Sequence, residues 1–228
     1  MTKKISILLI VIVVFMLLSA FGKGIHSIKI GIDWNGDSKE NGFVTITKKE
    51  KQSTQEGNKI QNFDLNFYEN SKKIEKFSIQ IEGFEKNAKW SAESPFVIDS
   101  LHQKKSFVLL HNGFPACGYA QNYFLFVKNI RNQIQKLDEW DTYFDAPYGT
   151  YQSIKPISEH SFSRVTVSIN GSDKEVINDE EEFAVVTKSD SIIYYQEKDR
   201  WFKKHITPKG SIFWEREMKL DDALKIKL

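Results

Sequence analysis

Oxygen-bearing side chains alternate through Asp33-Trp34-Asn35-Gly36-Asp37-Ser38-Lys39-Glu40-Asn41. Calcium takes about six to eight hard oxygen ligands, and a tight turn that offers carboxylates and amides at every second position can wrap it. Asp33, Asn35, Asp37 and Asn41 supply such side chains, and Lys39 adds its backbone carbonyl. The competing reading is a polar hairpin in which Asn35-Gly36 makes the turn and the acids are solvated.

A second set is acidic and aromatic. Asp138-Glu139-Trp140-Asp141 is followed by Tyr143, Asp145 and Tyr148. Paired carboxylates such as Asp138 and Asp141 can act as acid and base on a glycosidic bond, with Trp140 or Tyr148 as a sugar platform. The same neighbourhood suits a protein contact, because Trp and Tyr are favoured in interface cores. On that reading Trp140, Asp141, Tyr143 and Tyr148 form the partner-binding set. Packing of the aromatics onto a sheet explains them equally well.

Cys117 lies in His111-Asn112-Gly113-Phe114-Pro115-Ala116-Cys117-Gly118-Tyr119. As a nucleophile it would need a base to make its thiolate, and His102, His111 and His160 are the candidates. As a structural residue it is a small buried group in a connection shaped by Gly and Pro. The five histidines form no His-x-x-x-His or Glu-x-x-His pair, so zinc is not signalled. The acidic run Asp179 to Glu182 reads as a solvated loop or a patch for a basic partner.

The elements that must position these groups read as strands. Ile28, Ile30, Ile32 and Trp34 alternate with other residues, as do Phe63, Leu65 and Phe67, then Phe77, Ile79 and Ile81, then Val165, Val167 and Ile169. Phe43 to Thr47, Phe183 to Thr187, Ile192 to Gln196 and Ile212 to Arg216 are further strand patterns. Ser106 to His111 and Tyr123 to Lys128 are short, strongly apolar runs suited to buried strands. Lys48 to Lys59 reads as an exposed hairpin loop, and Asn170-Gly171 as a hairpin turn. Helical spacing is confined to Asn129 to Leu137 and Leu220 to Leu224. The fold class is therefore all-β: an antiparallel sandwich or propeller-like sheets, preceded by one N-terminal hydrophobic helix.

The segment from Asp33 to Asn41 resembles the calcium loops of integrin-like FG-GAP and VCBS repeat proteins. These read Asp-x-Asp/Asn-x-Asp-Gly-x-x-Asp within a β-hairpin. The resemblance implies calcium held by Asp33, Asn35, Asp37 and Asn41, in a structural rather than catalytic role. It covers nine residues in one copy, with Ser38 in place of the turn glycine and Asn41 in place of the closing aspartate.

The N-terminus bears on location. Lys3 and Lys4 precede an uncharged run from Ile5 to Phe21. As a signal peptide, residues 1–22 carry Ala20 and Gly22 at the cleavage positions. As an uncleaved anchor, residues 5–21 sit at the short limit for a bilayer span, with the lysines held in the cytoplasm. Either way residues 23–228 form an exported β domain, with a soft boundary near 147–156. The expected site is periplasmic or secreted, or anchored in the inner membrane facing the periplasm.

The formal charge of +2 falls to about zero without Lys3 and Lys4. That argues against nucleic acid, whose binding rests on neutralising phosphates. With one cysteine no internal disulfide is possible, which suits a bacterial periplasm. These features point to a non-catalytic binding protein of the bacterial envelope with a protein partner, one form being an inhibitor or immunity-type protein. The alternative is an envelope hydrolase acting on glycan or peptide bonds through Asp138, Asp141 or Cys117.

Overall fold

A computed structural model describes residues 27–53, 59–85, 87–94, 96, 98, 106–114, 119–129, 131–145, 147–172 and 182–226. These hold thirteen strands and one helix. The first sheet contains β1 (Ser27–Ile32), β2 (Gly42–Ser53), β3 (Lys59–Glu69) and β4 (Lys72–Glu82), paired in chain order. The second begins with β5 (Lys89–Glu93), β6 (Ser106–Gly113), β7 (Tyr119–Lys128) and β8 (Ile134–Asp145). It continues through β9 (Tyr148–Ser158), β10 (Ser161–Gly171), β11 (Phe183–Glu197) and β12 (Arg200–His205), again in chain order. β13 (Ile212–Lys219) also pairs with β11, and α1 (Leu220–Ile226) follows it.

The expected all-β, sandwich-like architecture is present, and the alternation read from the sequence explains it. Phe63, Leu65 and Phe67 of β3 and Ile79 and Ile81 of β4 turn inward together with Val44 and Ile46 of β2. They pack on Val108, Leu110, Phe124 and Phe126 of β6 and β7. The intervening residues Phe107, Leu109, Leu125 and Val127 face the other way. There they join Phe162, Ile192, Tyr194 and Trp201 in a second core. β6 and β7 are thus dry on both faces, which is why their sequences are continuous apolar runs. A third, smaller core gathers Val167, Ile169, Ala184 and Val186 under Ala223 of α1.

The second sheet curls until β12 returns to β8. Gln135 latches this seam with its side chain: its Nε2 donates to the Trp201 carbonyl (2.7 Å) and its Oε1 accepts from the Trp201 amide (3.1 Å). β12 and β13 share one edge of β11. β12 pairs with Ile192 to Glu197 and β13 with Phe183 to Ser189, so residues 206–211 bulge out between them.

Three local readings need correction. The helical spacing of Asn129 to Leu137 gives a turn and the start of β8. The Asn129 carboxamide accepts from the amides of Arg131 and Gln133, which competes with a helix. Asn170 and Gly171 lie within β10, paired with Val185 and Ala184. The Lys48 to Lys59 loop is mostly strand, since β2 runs to Ser53 and β3 begins at Lys59. The N-terminal helix falls outside the described residues. Among those residues no helix is long and apolar enough to cross a membrane.

Candidate binding cleft

β8 carries a bulge. Leu125 pairs with Asp138 but Phe126 pairs with Lys136, leaving Leu137 as the extra residue. A bulge re-aims side chains, and here Leu137 and Asp138 are both buried in succession. Asp138 enters the second core as a charge, so it must be paired. Its Oδ2 accepts from Arg164 Nη2 at 2.9 Å and from the Tyr194 hydroxyl, and its Oδ1 accepts from Lys203 Nζ at 2.9 Å. Arg164 also donates to the Tyr194 hydroxyl (Nε, 3.1 Å) and to Gln152 Oε1 (Nη1, 2.6 Å). Burial alone would raise the Asp138 pKa. Lys203, Tyr194 and Arg164 outweigh it and hold the carboxyl below its usual range. Burial, reinforced by the Asp138 charge, raises the Tyr194 phenol.

An aromatic row crosses the neighbouring strands. His111, Tyr123 and Trp140 are in register on β6, β7 and β8, with ring centroids 5.6 and 5.8 Å apart. The Arg164 guanidinium lies 5.0 Å over Trp140 and continues the row. Ser91 Oγ sits 2.8 Å from His111 Nε2. Burial lowers the His111 pKa against the opposing pull of Glu93, which favours a neutral ring at pH 7.

β8 and β9 part above this network. They pair only at Phe144 with Gly149 and Asp145 with Tyr148. Gly149 permits the close approach of β9 to β8: its φ is +148°, and a Cβ there would lie 2.6 Å from the Tyr143 carbonyl oxygen. Two cavities open where the strands diverge, sharing Trp140, Thr150 and Gln152. One, of about 430 Å³, is aromatic, with Phe96, Tyr123, Phe144 and Tyr151 in its wall. The other, of about 530 Å³, is charged, with Asp138, Arg164, Lys203 and Lys209. Together they offer apolar surface beside fixed hydrogen-bonding groups, the usual make-up of a binding site.

The four residues proposed from sequence for partner contact divide between faces. Trp140 lines the cleft. Asp141 is exposed at the rim of the charged cavity, Tyr143 is exposed outside both cavities, and Tyr148 packs against the third core. Cys117 and His102 lie outside the described residues. Arg164, Gln152, Tyr194 and Lys203 went unrecognised in the sequence. A signal existed for Arg164, which shares the inward face of β10 with Phe162, two residues away.

The Asp33 loop is held by its own hydrogen bonds. Asp33 Oδ1 accepts from the Asn35 and Gly36 amides at 2.9 and 2.7 Å, and Oδ2 from the Ser38 amide at 2.7 Å. Asn41 Oδ1 accepts from the Trp34 amide at 2.8 Å, and Asp37 Oδ1 from the Lys39 amide at 3.0 Å. Ser38 has a φ of 64°, the left-handed conformation that explains why a glycine is usual at that position. A carboxylate offers about four lone-pair positions, and the amides of Asn35, Gly36, Asp37 and Ser38 take up those of Asp33. Asn35, Asp37 and Lys39 are exposed. Among the described residues no group of three or more His, Cys, Asp or Glu is arranged to hold a metal.

Burial would raise the Asp33 pKa, but the Gly36, Ser38 and Asn35 amides lower it further. The stability it contributes is therefore present above the usual carboxylate pKa of about 3.9 and lost as pH falls through the depressed value. Asp33→Ala is expected to cost about 1.5–3 kcal/mol, measured by urea unfolding with chelator present. A stability gain from calcium in the wild type that Asp33→Ala abolishes would make the loop a cation site as well.

The chain matches no protein-family model, no curated protein and no solved structure.

Proposed function

We propose that this chain is a non-catalytic binding protein of the bacterial envelope that receives a protein partner at the cleft between β8 and β9. The carrying observation is the state of Asp138. Both of its oxygens are taken by Arg164, Tyr194 and Lys203. A carboxylate held ionised by two cations is a poor general acid, which needs a raised pKa, and each of its oxygens already accepts a charge-assisted or hydroxyl hydrogen bond, which weakens it as a nucleophile. The network instead gives the cleft a rigid floor. Aromatic walls and fixed polar groups then serve recognition. The apolar run from Ile5 to Phe21 after Lys3 and Lys4 supports export. An inhibitor or immunity-type protein remains the concrete form of this role.

The test places a photoreactive phenylalanine analogue at Phe144, in the cleft wall, and at Lys225 on α1 as a control. Irradiated cells are expected to yield one stoichiometric envelope-protein adduct from the Phe144 position and none from Lys225. Equal labelling at both positions would remove the cleft as the site. Hydrolysis of wall glycan or peptide that Asp138→Asn abolishes would replace binding by catalysis.

A further inference from the structure

We infer that the edge formed by β12 and the start of β13 docks on an anionic bilayer surface. Residues 198–213 contain five cations, Lys198, Arg200, Lys203, Lys204 and Lys209, against the single carboxylate Asp199. Asp199 is already paired with Arg131 at 2.9 Å, and Lys203 turns inward to Asp138. Lys198, Arg200, Lys204 and Lys209 have no ion pair among the described residues. The same stretch holds large apolar side chains in water. Phe202 is 41% exposed, Ile206 50%, Ile212 56% and Phe213 48%.

The fold explains why Arg200, Phe202 and Lys204 share one surface. Trp201 and Lys203 point into the curl, so Arg200, Phe202 and Lys204 point out. Phe202 stacks on Tyr195 of β11 with ring centroids 5.8 Å apart. Ile206 opens the bulge of residues 206–211 and Ile212 follows it. The bulge is pinned to β11 by the Ile206 amide donating to the Ser191 carbonyl (2.8 Å) and the Gly210 amide to Asp190 Oδ1 (2.6 Å).

The pattern separates two kinds of partner. A protein interface gathers its apolar residues into a core depleted of lysine. Here cations and apolar groups alternate singly, as Arg200, Phe202, Lys204 and Ile206. That order suits a headgroup layer, where cations meet phosphates while apolar side chains sink past them. Lysine on an edge strand guards against strand pairing, but exposed Phe and Ile work against such a guard and need a covering surface. The inference shares the envelope placement of the proposed function; because Lys203 and Lys209 line the cleft, it rests on the outward-facing Arg200, Phe202, Lys204 and Ile206.

Full-length protein is reconstituted through its N-terminal run into phosphatidylcholine vesicles, with or without phosphatidylglycerol, and amide exchange is followed by mass spectrometry. Amides within residues 200–213 are expected to exchange about tenfold more slowly on the anionic vesicles. The protection should disappear in about 1 M salt, where screening acts within a few ångströms, and in Arg200→Glu/Lys204→Glu and Phe202→Ser/Phe213→Ser. Equal exchange on both vesicle types would overturn the inference. So would protection that depends on protein concentration without lipid, which would assign the edge to a second copy of the chain. Neither outcome bears on Phe144 crosslinking, so the cleft reading stands or falls separately.

Discussion

Arg164→Met is expected to lower the stability of the folded chain by about 3–5 kcal/mol, seen as a fall in the urea midpoint with little change in slope. Asp138 and Arg164 are 5% and 6% exposed. Removing the guanidinium strands a buried carboxylate with only Lys203 and Tyr194 to offset its lost hydration. It also frees Gln152 Oε1 from a 2.6 Å bond and removes the cation over Trp140. The pH dependence follows from the depressed Asp138 pKa. The carboxylate's stabilisation is complete above its unfolded value of about 3.9 and is lost as pH falls through the folded value. In Arg164→Met the folded value moves up, so this acid-sensitive part of the stability shrinks. Replacing Asp138, Arg164, Lys203 and Tyr194 together by Leu, Met, Met and Phe should restore most of the loss, because an apolar set leaves no charge unpaired. An Arg164→Met midpoint equal to that of the wild type would show that the network carries no net stability.

Phe107→Ala and Phe126→Ala should each cost about 3–5 kcal/mol, although their side chains lie in different cores. Phe107 packs edge-on against Phe162 and Trp201, at 5.9 and 5.5 Å between centroids. Phe126 meets Phe67 and Phe77 at 4.9 and 5.2 Å. Both side chains are fully buried. Because β6 and β7 wall both cores, loss on either side is expected to lower one common transition. In backgrounds that keep one tryptophan, fluorescence of Trp34 reports the first core and that of Trp201 the second. If Phe126→Ala shifted only the Trp34 signal, the two sheets would be separate folding units.

Much of this architecture was legible because water acts on each strand one side at a time. The alternation of Phe63, Leu65 and Phe67, and the continuous runs in β6 and β7, state which faces are dry. Two kinds of feature were less legible. Asn129 resembled the start of a helix because spacing does not record a side chain that caps its own turn. The floor of the cleft was harder still. Asp138 belongs to the acidic run of β8, and a bulge at Leu137 decides that it points inward. Its partners come from β10, β11 and β12, so only the curl of the sheet brings them together. The Tyr143 to Tyr151 segment was readable as aromatic. That its strands diverge after two residue pairs was not.

The doubly dry strands have a consequence for how the chain finds its pairing. In a strand wetted on one face, a slip by one residue drives greasy groups into water and is rejected at once. Sliding β6 against its neighbours would merely exchange Phe107 and Leu109 for Val108 and Leu110, oil for oil. Solvent cannot proofread that error. Discrimination falls to shape and to the few polar markers at the ends, such as the buried Asn112, whose carboxamide reaches the Lys89 carbonyl at 3.3 Å.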